Sequence, residues 1–220
     1  MDPLEAISPI DGRYKRHTAP LTDICSEKGL IRYRVLIEGE YFIALSEHSG
    51  MLGMRTFSSD EKDLVRKLYD ISTEDARIVK DIEVRGHGSI KATNHDVKAV
   101  EYFMKGKLRG TSLEDSVEWI HFALTSEDVN NIAYGLMLSD SLGKVIFPTI
   151  QGLYQTLEDM ARRYKNVPML ARTHGQPASP TTFGKEFKVF SSRIKHQLDQ
   201  LTQQEILVKL NGATGNYSAH

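Results

Sequence analysis

The strongest constraint on the fold is a helical repeat of apolar residues that runs through the second half of the chain. From Thr125 to about Lys165, apolar residues recur at spacings of three and four, as on one helix face. Pro148 lies inside this run, and we expect it to kink the helix rather than end it. A second run extends from about Thr181 to Leu210. Two antiparallel helices of ~45–60 Å cannot cover both flanks against a small domain, so the pattern predicts a long bundle completed by other subunits.

The first half of the chain predicts shorter helices separated by turns. Helical periodicity extends from about Cys25 to His48 and from about Glu74 to Arg85, and Ser59 is placed to cap a helix between them. A further short helix is predicted from Ser112 to Ala123. Strand signals are scarce throughout. The predicted fold class is therefore all-α, a small helical N-terminal domain followed by the long helices of a multi-subunit central bundle.

Gly110 is the predicted boundary between two domains. Residues 1–110 would form the N-terminal helical domain. Residues 111–220 would form the first, truncated part of the central long-helix bundle domain. A chain of 220 residues with 40% hydrophobic residues is large enough to bury a substantial core.

Charge and cysteine content narrow the class of protein. The formal net charge of −1 argues against a general nucleic-acid binder or a protein of the membrane surface. Cys25 is the single cysteine, which fits a reducing compartment, and the first residues lack the pattern of a secretory signal. The histidines are scattered and no phosphate-binding glycine loop is present. We expect a cytoplasmic protein with no metal site.

A polar stretch broken by glycine and proline, RTHGQPA at residues 172–178, separates the two long helical runs. We predict it to be a surface turn, and turns between helices carry chemistry more often than packing. His174 lies at its centre, and the ordinary pKa of histidine, about 6.5, suits proton donation at neutral pH. A solvated hinge histidine is the alternative interpretation.

Two predicted helix starts are candidate anion sites, because the first turn of a helix has unpaired backbone N–H groups. The candidate binding residues are Asn94, His95, Asp96, Thr125 and Ser126. Asn94 is placed to cap the first of these helices. Simple helix capping is the alternative at both places, since Thr93-x-x-Asp96 and Thr125-x-x-Asp128 match the capping-box pattern.

Arg13 and Tyr14 follow a tight turn at Asp11 and Gly12. The guanidinium fork of arginine suits phosphate or carboxylate. These two residues are therefore further binding candidates, and a solvated N-terminal arm is the alternative.

Five stretches taken together closely resemble the adenylosuccinate lyase family of the fumarase/aspartase superfamily. They are SPIDGRY at 8–14, TNHDVKAVEY at 93–102, HFALTSEDVNN at 121–131, RTHGQPA at 172–178 and NGATGNY at 211–217. They follow the family's order and extend from end to end of the chain. Each is weak alone, but five in order make coincidence an unsatisfactory explanation.

The resemblance implies β-elimination of fumarate from adenylosuccinate, giving AMP, and from the succinyl-aminoimidazole-carboxamide ribotide of purine biosynthesis. It implies His174 as the general acid and no metal or cofactor, in a homotetramer when the protein is full length. It assigns the substrate phosphate to Arg13 and Tyr14, and the succinyl carboxylate to Thr125 and Ser126. It assigns general substrate contacts to residues 94–96, with His95 near the phosphate or the acid.

The chain departs from the family at one point. Family members carry a mobile loop of the form Ser-Ser-x-Met-Pro-x-Lys-x-Asn-Pro whose serine is the catalytic base, and nothing in these 220 residues matches it. The resemblance therefore implies an N-terminal portion with little or no lyase activity by itself. Two alternatives stay open: another lyase of the superfamily with a different amine substrate, and a non-catalytic helical assembly or nucleotide-binding module.

Overall fold

The computed structural model describes residues 4–48 and 53–218, and these residues form helices almost throughout. The elements are α1 Lys15–Thr18, α2 Thr22–Cys25, α3 Glu27–Glu47, α4 Ser59–Lys67, α5 Thr73–Val84, α6 Asp96–Leu108, α7 Ser126–Ser141, α8 Phe147–Arg163, β1 Pro168–Thr173, β2 Gln176–Thr182 and α9 Phe183–Thr202. Short 3₁₀ helices add Ala19–Leu21 and Glu114–Trp119. The predicted all-α class is confirmed, with a single two-stranded hairpin added within the described ranges. No helix in these ranges is long and apolar enough to cross a membrane.

The chain divides into two compact units. Unit 1 comprises Met1–Ser139 together with Leu207–His220, and unit 2 is Asp140–Ile206. The last segment of the chain thus belongs with the first part. These compact units divide after Ser139 and not at Gly110. They are defined by contacts within this chain alone, so the predicted domain boundary at Gly110 stays a prediction.

Serine side chains define the helix starts in unit 1. Ser26 accepts a hydrogen bond from the third backbone N–H of α3, which confirms the predicted helix within two residues at its start. Ser58, not the predicted Ser59, caps α4, because its hydroxyl and the Glu61 side chain complete a reciprocal capping box. Ser72 caps α5 in the same way. Local hydrogen bonding therefore sets these boundaries.

The core of unit 1 surrounds α3. The side chains of Val35 and Phe42 are fully buried, and the Phe42 ring meets Phe57 edge-on at a centroid distance of 4.7 Å. Further buried members come from α4, α5, α6 and the segment before α7: Val65, Val79, Ile82, Val100, Met104, Leu108, Leu113 and Ile120. This packing holds α6 and the segment that leads into α7 against α3.

Two further predicted details of unit 1 are wrong. Asn94 does not cap α6, because its backbone is left-handed, with φ of 50°, and His95 occupies the cap instead. The helix predicted from Ser112 to Ala123 is the shorter 3₁₀ helix Glu114–Trp119. His121 and Ala123 also have positive φ, at 65° and 59°, which ends helical geometry before α7.

The long helical run predicted from Thr125 to Lys165 is interrupted in the middle. A π-helical turn, Leu142–Ile146, separates α7 from α8. Pro148 lies in the first turn of α8, directly after this π-helical turn, and its missing N–H cannot continue the helical hydrogen bonds there. The π-helical turn therefore takes up the break in hydrogen bonding that proline imposes.

The RTHGQPA stretch is a β-hairpin and not the simple turn that the sequence predicted. β1 and β2 are antiparallel, and Thr173 pairs with Gln176 across the tip. The two tip residues, His174 and Gly175, have φ of 51° and 72°, as a type I′ turn requires. Two prolines in β2 and the lack of apolar alternation hid these strands from sequence patterns.

In unit 2, α8 and α9 pack antiparallel. Contacts near the hairpin join Tyr164 to Phe183 and Phe187 at ring centroid distances of 6.1 and 6.2 Å. Farther along, Glu158 accepts hydrogen bonds from Lys188 and Ser191. Residues with lower numbers on α8 thus contact residues with higher numbers on α9. The two helices therefore run in opposite directions, which confirms the predicted antiparallel pair.

The end of α9 differs from the prediction. The helix stops at Thr202 instead of continuing to Leu210. The residues that follow give up helical bonds because their backbone bonds to the start of α7 in unit 1, through Lys209, Asn211 and Gly212.

Packing at the hairpin predicts the effect of one methyl group. A Cβ at Gly184 would lie 2.5 Å from Lys165 Cα and would touch the Ala161 carbonyl. We expect Gly184→Ala to destabilise the protein by ~1–3 kcal/mol, because this backbone contact has no room to relax. Gly152 is an exposed glycine inside α8 with open space at its Cβ position. Gly152→Ala should therefore stabilise by about 0.5–1 kcal/mol through helix propensity.

The midpoint of urea unfolding, followed by circular dichroism, measures both effects. Equal midpoints for the two variants would contradict the close approach of α9 to α8 at Gly184.

Candidate active site

The candidate site in unit 1 forms where the starts of α6 and α7 meet. His95 caps α6, because its Nδ1 accepts a hydrogen bond from the Lys98 backbone N–H at 3.2 Å. An accepting ring nitrogen carries no hydrogen, so the proton of the neutral ring is on Nε2. That nitrogen lies 3.2 Å from Ser126 Oγ and donates to it. The cap therefore fixes which ring nitrogen faces α7.

Ser126 begins α7, immediately after Thr125. Because Ser126 Oγ accepts from His95, its own hydroxyl hydrogen is directed elsewhere and is available to a bound acceptor. Two helix N-termini and the Ser126 hydroxyl thus converge at one place, where the His95 imidazole N–H is already bonded to Ser126 Oγ. Helix N-termini attract negative charge through their unpaired N–H groups and partial positive charge. The arrangement suits a carboxylate.

A buried arginine organises the base of this site. Arg34 is 3% exposed, and its guanidinium donates to Asp96 Oδ2 at 2.5 Å and to Asn130 Oδ1 at 2.9 Å. Partial burial would raise the pKa of Asp96, but the Arg34 charge and the Val97 backbone N–H outweigh it and lower that pKa. Asp96 is therefore an anion, and Arg34 joins α3 to Asp96 on α6 and to Asn130 on α7.

Asp128 is fully buried in the first turn of α7 and binds the returning chain. Its carboxylate accepts from the backbone N–H of Thr125 at 3.0 Å, of Asn211 at 3.0 Å and of Gly212 at 3.1 Å. Lys209 Nζ lies 3.0 Å away and supplies the counter-charge. Burial raises the pKa of Asp128, but these four donors more than offset it, so the pKa is lowered. Of the predicted capping box, only the bond from Thr125 N–H to Asp128 is seen here.

Asn131 strengthens the same connection one turn farther along. Its amide Oδ1 accepts from the Lys209 backbone N–H at 2.7 Å, and its Nδ2 donates to the Lys209 carbonyl at 2.9 Å. The Asn131 amide therefore bonds to both the N–H and the carbonyl of Lys209, as the backbone of a neighbouring β-strand would. The NGATGNY motif that starts at Asn211 is held beside α7 as a result.

A second titratable pair lies between α3 and the segment before α7. His121 Nδ1 donates to Glu38 Oε1 at 2.5 Å, and Glu38 is fully buried. Burial raises the pKa of Glu38. Burial lowers the pKa of His121, but the Glu38 carboxylate outweighs this, so the pKa of His121 is raised. Both pKa values are therefore raised, and the pair binds protons more tightly than its two side chains would in water.

The structure brings four of the predicted residues together, namely His95, Asp96, Thr125 and Ser126. Asn94 is their exposed neighbour, held by a bond from its backbone N–H to the Glu83 carbonyl. The predicted capping box at Thr93 and Asp96 does not form, because His95 provides the cap and Asp96 bonds to Arg34. Each predicted role of these residues stays a prediction.

The remaining candidates, Arg13, Tyr14 and His174, are all exposed. Arg13 stacks over the Tyr14 ring, with 4.9 Å from guanidinium carbon to centroid, and both are exposed. His174 is exposed at the hairpin tip of unit 2. Within residues 4–48 and 53–218, no group of three or more His, Cys, Asp or Glu side chains is placed to hold a metal ion.

Sequence patterns missed two residues of the site, Arg34 and Glu38, whereas His121 and Asn130 lie in the HFALTSEDVNN stretch without a predicted role. Arg34 and Glu38 are spaced as i and i+4 on the face of α3 that also carries Ile31 and Phe42. Charges within an apolar face are a usable signal, because buried charges need partners.

Comparison with known proteins decides the family. The family profile described as "Lyase" matches residues 12–220. The chain belongs to the lyase family.

It is 43% identical over 219 residues to adenylosuccinate lyase from Escherichia coli (strain K12), covering 99% of this chain and 46% of that protein. It is 45% identical over 224 residues to adenylosuccinate lyase from Dictyostelium discoideum, with the same coverage. The predicted resemblance is confirmed, and the chain spans about half the length of the curated relatives it matches.

Solved structures share the fold of this lyase-family chain. Fumarate lyase from Mesorhizobium sp. BNC1 aligns with a TM-score of 0.67 and 21% identity, over 91% of this chain and 44% of that chain. The β-carboxy-cis,cis-muconate cycloisomerase from Acinetobacter calcoaceticus sp. ADP1 aligns with a TM-score of 0.67 and 20% identity, with the same coverage. At these identities the likeness shows the fold alone.

The Asp128 contacts predict a pH-dependent stability. Asp128→Asn removes the charge that three backbone N–H groups and Lys209 share, and we expect a loss of about 3 kcal/mol at pH 7. Because the folded pKa of Asp128 is lowered, its contribution is present above the unfolded pKa, near ~3.9, and is lost as pH falls through the folded value. The variant should therefore show a shallower loss of stability between pH 5 and pH 2.

Urea unfolding at each pH measures this, and Asp63→Asn, at an exposed position on α4, is the matched control. Parallel pH profiles for the Asp128 variant and the native chain would show that the carboxylate has no such role.

The Glu38–His121 pair predicts a shift in a histidine titration. Glu38→Gln removes the carboxylate that raises the pKa of His121, so that pKa should fall. Both raised pKa values mean that the folded pair binds protons more tightly than the unfolded chain. Its contribution to stability is therefore full at low pH and lost as pH rises through the folded pKa of His121. Imidazole C–H chemical shifts across the titration measure the change.

Glu118→Gln, which alters an exposed partner of Lys105, is the control and should leave His121 unmoved. An unchanged His121 titration in the Glu38 variant would contradict the assigned cause.

Proposed function

We propose that this chain supplies part of the active site of an adenylosuccinate lyase, which eliminates fumarate from adenylosuccinate to leave AMP. By the same chemistry the enzyme would cleave the succinyl-aminoimidazole-carboxamide ribotide. The observation that carries the proposal is the contact between His95 Nε2 and Ser126 Oγ, where two helix starts converge. Identity of 40–45% to adenylosuccinate lyases over almost the whole chain supports it.

The succinyl carboxylate would bind at the start of α7. There the Ser126 hydroxyl and the first backbone N–H groups of the helix face a common point, with Thr125 beside them. Asp128 already occupies the Thr125 N–H, so the ligand would use the hydroxyls and the later N–H groups. A carboxylate held this way acidifies the neighbouring carbon, because developing negative charge is stabilised by these donors.

His174 would act as the general acid. In the elimination, a base removes a proton from the carbon next to the carboxylate, the electron pair forms the C=C bond of fumarate, and the C–N bond breaks. The departing nitrogen takes the bonding pair, and the proton from His174 neutralises it. The exposed position of His174 at the tip of a type I′ turn suits delivery of that proton.

Arg13 and Tyr14 would hold the nucleotide phosphate, since the guanidinium is exposed and rests on the phenol ring. Residues 94–96 would contact the rest of the substrate, with Asp96 kept ionised by Arg34. The catalytic base is absent from the motifs of this chain, so it would come from a further segment of the enzyme. We propose a homotetramer in which that segment and other subunits complete the site.

The test replaces the matching portion of E. coli adenylosuccinate lyase by this chain. We expect the assembled hybrid to release fumarate from adenylosuccinate, and the chain alone to do so at no measurable rate. His174→Asn in the hybrid should lower kcat by about 10²–10⁴-fold, the usual contribution of a general acid. Asparagine is chosen because it tolerates the left-handed backbone of residue 174.

His196→Asn, at an exposed position on α9, is the matched control and should keep native turnover. Oligomer mass and helicity are measured for every variant. An assembled hybrid that cleaves only a different succinylated amine would indicate another lyase of the superfamily. One that binds nucleotide without turnover would indicate the non-catalytic module.

A further inference from the structure

A cleft on the outer side of α6 has no role in the site described above. We call it the α6 cleft and define it by loop residues 89–93 and by Lys98, Tyr102, Lys105 and Arg109. Its volume is about 480 Å³, within the range of small-molecule sites in proteins. It shares no lining residue with the cluster of His95, Asp96 and Ser126.

Cations follow the whole length of the α6 cleft. On α6, Lys98 and Lys105 are spaced by seven residues, so they lie on one face of the helix. Arg109 follows as the extended residue that caps the C-terminus of α6, and it lines the same cleft. From Lys98 to the end of the helix at Leu108 the rise is about 15 Å. Lys91 faces them from the loop side of the cleft. The cleft is therefore elongated and basic along one wall.

Two carboxylates neutralise only part of this charge. Glu101 is 3% exposed and is shared by Lys98, at 2.8 Å, and Lys105, at 3.1 Å. Glu118, which is exposed, lies 2.6 Å from Lys105. In the described part of the chain, neither Lys91 nor Arg109 lies within 4 Å of a carboxylate oxygen. Four cations against two anions leave an excess of two positive charges.

The buried lysine keeps its charge. The Lys105 side chain is only 9% exposed. Burial lowers the pKa of Lys105, but its bonds to Glu118 and Glu101 more than offset this and raise that pKa. Glu101 holds Lys98 and Lys105 in place along the helix wall of the cleft. Tyr102 adds a half-buried ring beneath Lys98, 5.3 Å from nitrogen to centroid.

We propose that the α6 cleft binds a small phosphate-bearing polyanion, with Lys91 and Arg109 as the cations that receive it. A di- or triphosphate chain matches the elongated wall and the excess charge, and the guanidinium fork of Arg109 fits phosphate oxygens. The Tyr102 ring offers a surface for a nucleoside base. The ligand class is therefore inorganic pyrophosphate or a nucleoside polyphosphate.

The experiment titrates the chain with inorganic pyrophosphate and, separately, with ADP at low ionic strength. Calorimetry gives Kd, and two-dimensional amide spectra locate the site. We expect one equivalent to bind, with shifts confined to residues 89–93 and 98–109. Lys91→Gln with Arg109→Gln should weaken binding at least tenfold. The control, Lys67→Gln with Arg163→Gln, removes the same charge from exposed positions elsewhere and should leave Kd within twofold.

Several outcomes would overturn the proposal. No saturable binding, or equal weakening in both double variants, would show that only general charge attraction acts. Loss of binding in Arg13→Gln, with binding retained in the cleft variant, would place the anion at the proposed substrate phosphate position instead. That result would leave the lyase proposal standing, because fumarate release by the hybrid tests it separately. Tighter binding of ADP than pyrophosphate supports a nucleoside ligand, and equal binding supports pyrophosphate recognition alone.

Discussion

The buried carboxylate of Asp128 determines how unit 1 is completed. It is fully enclosed, and it accepts hydrogen bonds from the start of α7 and from two backbone groups near the end of the described chain. A charge enclosed without these partners would be far less stable than the same charge in water. Lys209 balances it, and Asn131 repeats the attachment one turn later. The start of α7 and the NGATGNY motif are therefore fixed together.

Charged residues in the core of unit 1 are directed toward the same region. Arg34 and Glu38 project from α3, which is otherwise lined by apolar side chains, and each reaches a residue near the start of α6 or α7. Burying such groups contributes little net stability, since desolvation offsets the attraction between them. Their value lies in orientation: Arg34 positions Asp96, and Glu38 positions His121. The Glu38 Oε2 atom is buried without a hydrogen-bond partner in the described chain. This lowers the stability of the fold, and we attribute it to the position that Glu38 must take to bond to His121.

Sequence patterns predicted the helices of this fold better than its boundaries and exceptions. The periodicity of α3 and α5 was sufficient because both helices bury apolar residues against one core. The hairpin at residues 168–182 was missed, since two prolines and a bulge leave no strand pattern to detect. The early end of α9 depends on bonds to Asp128 and Asn131, which are some 80 residues away and leave no local signature. Motifs identified the candidate binding residues, but the roles of Arg34 and Glu38 required the spatial neighbours that only the fold supplies.

Unit 1 is discontinuous in sequence, and this affects how the chain folds during synthesis. The pieces that meet at Asp128 are separated by all of unit 2, residues Asp140–Ile206. At ribosomal rates of 5–20 residues per second, translating that insertion takes roughly 3–13 s. During this interval the nascent first piece has the Asp128 carboxylate without Lys209 or the N–H donors of Asn211 and Gly212. Residues 209–212 thus close the first unit only after the whole of unit 2 has been translated, and until then water must solvate the Asp128 carboxylate in place of these partners.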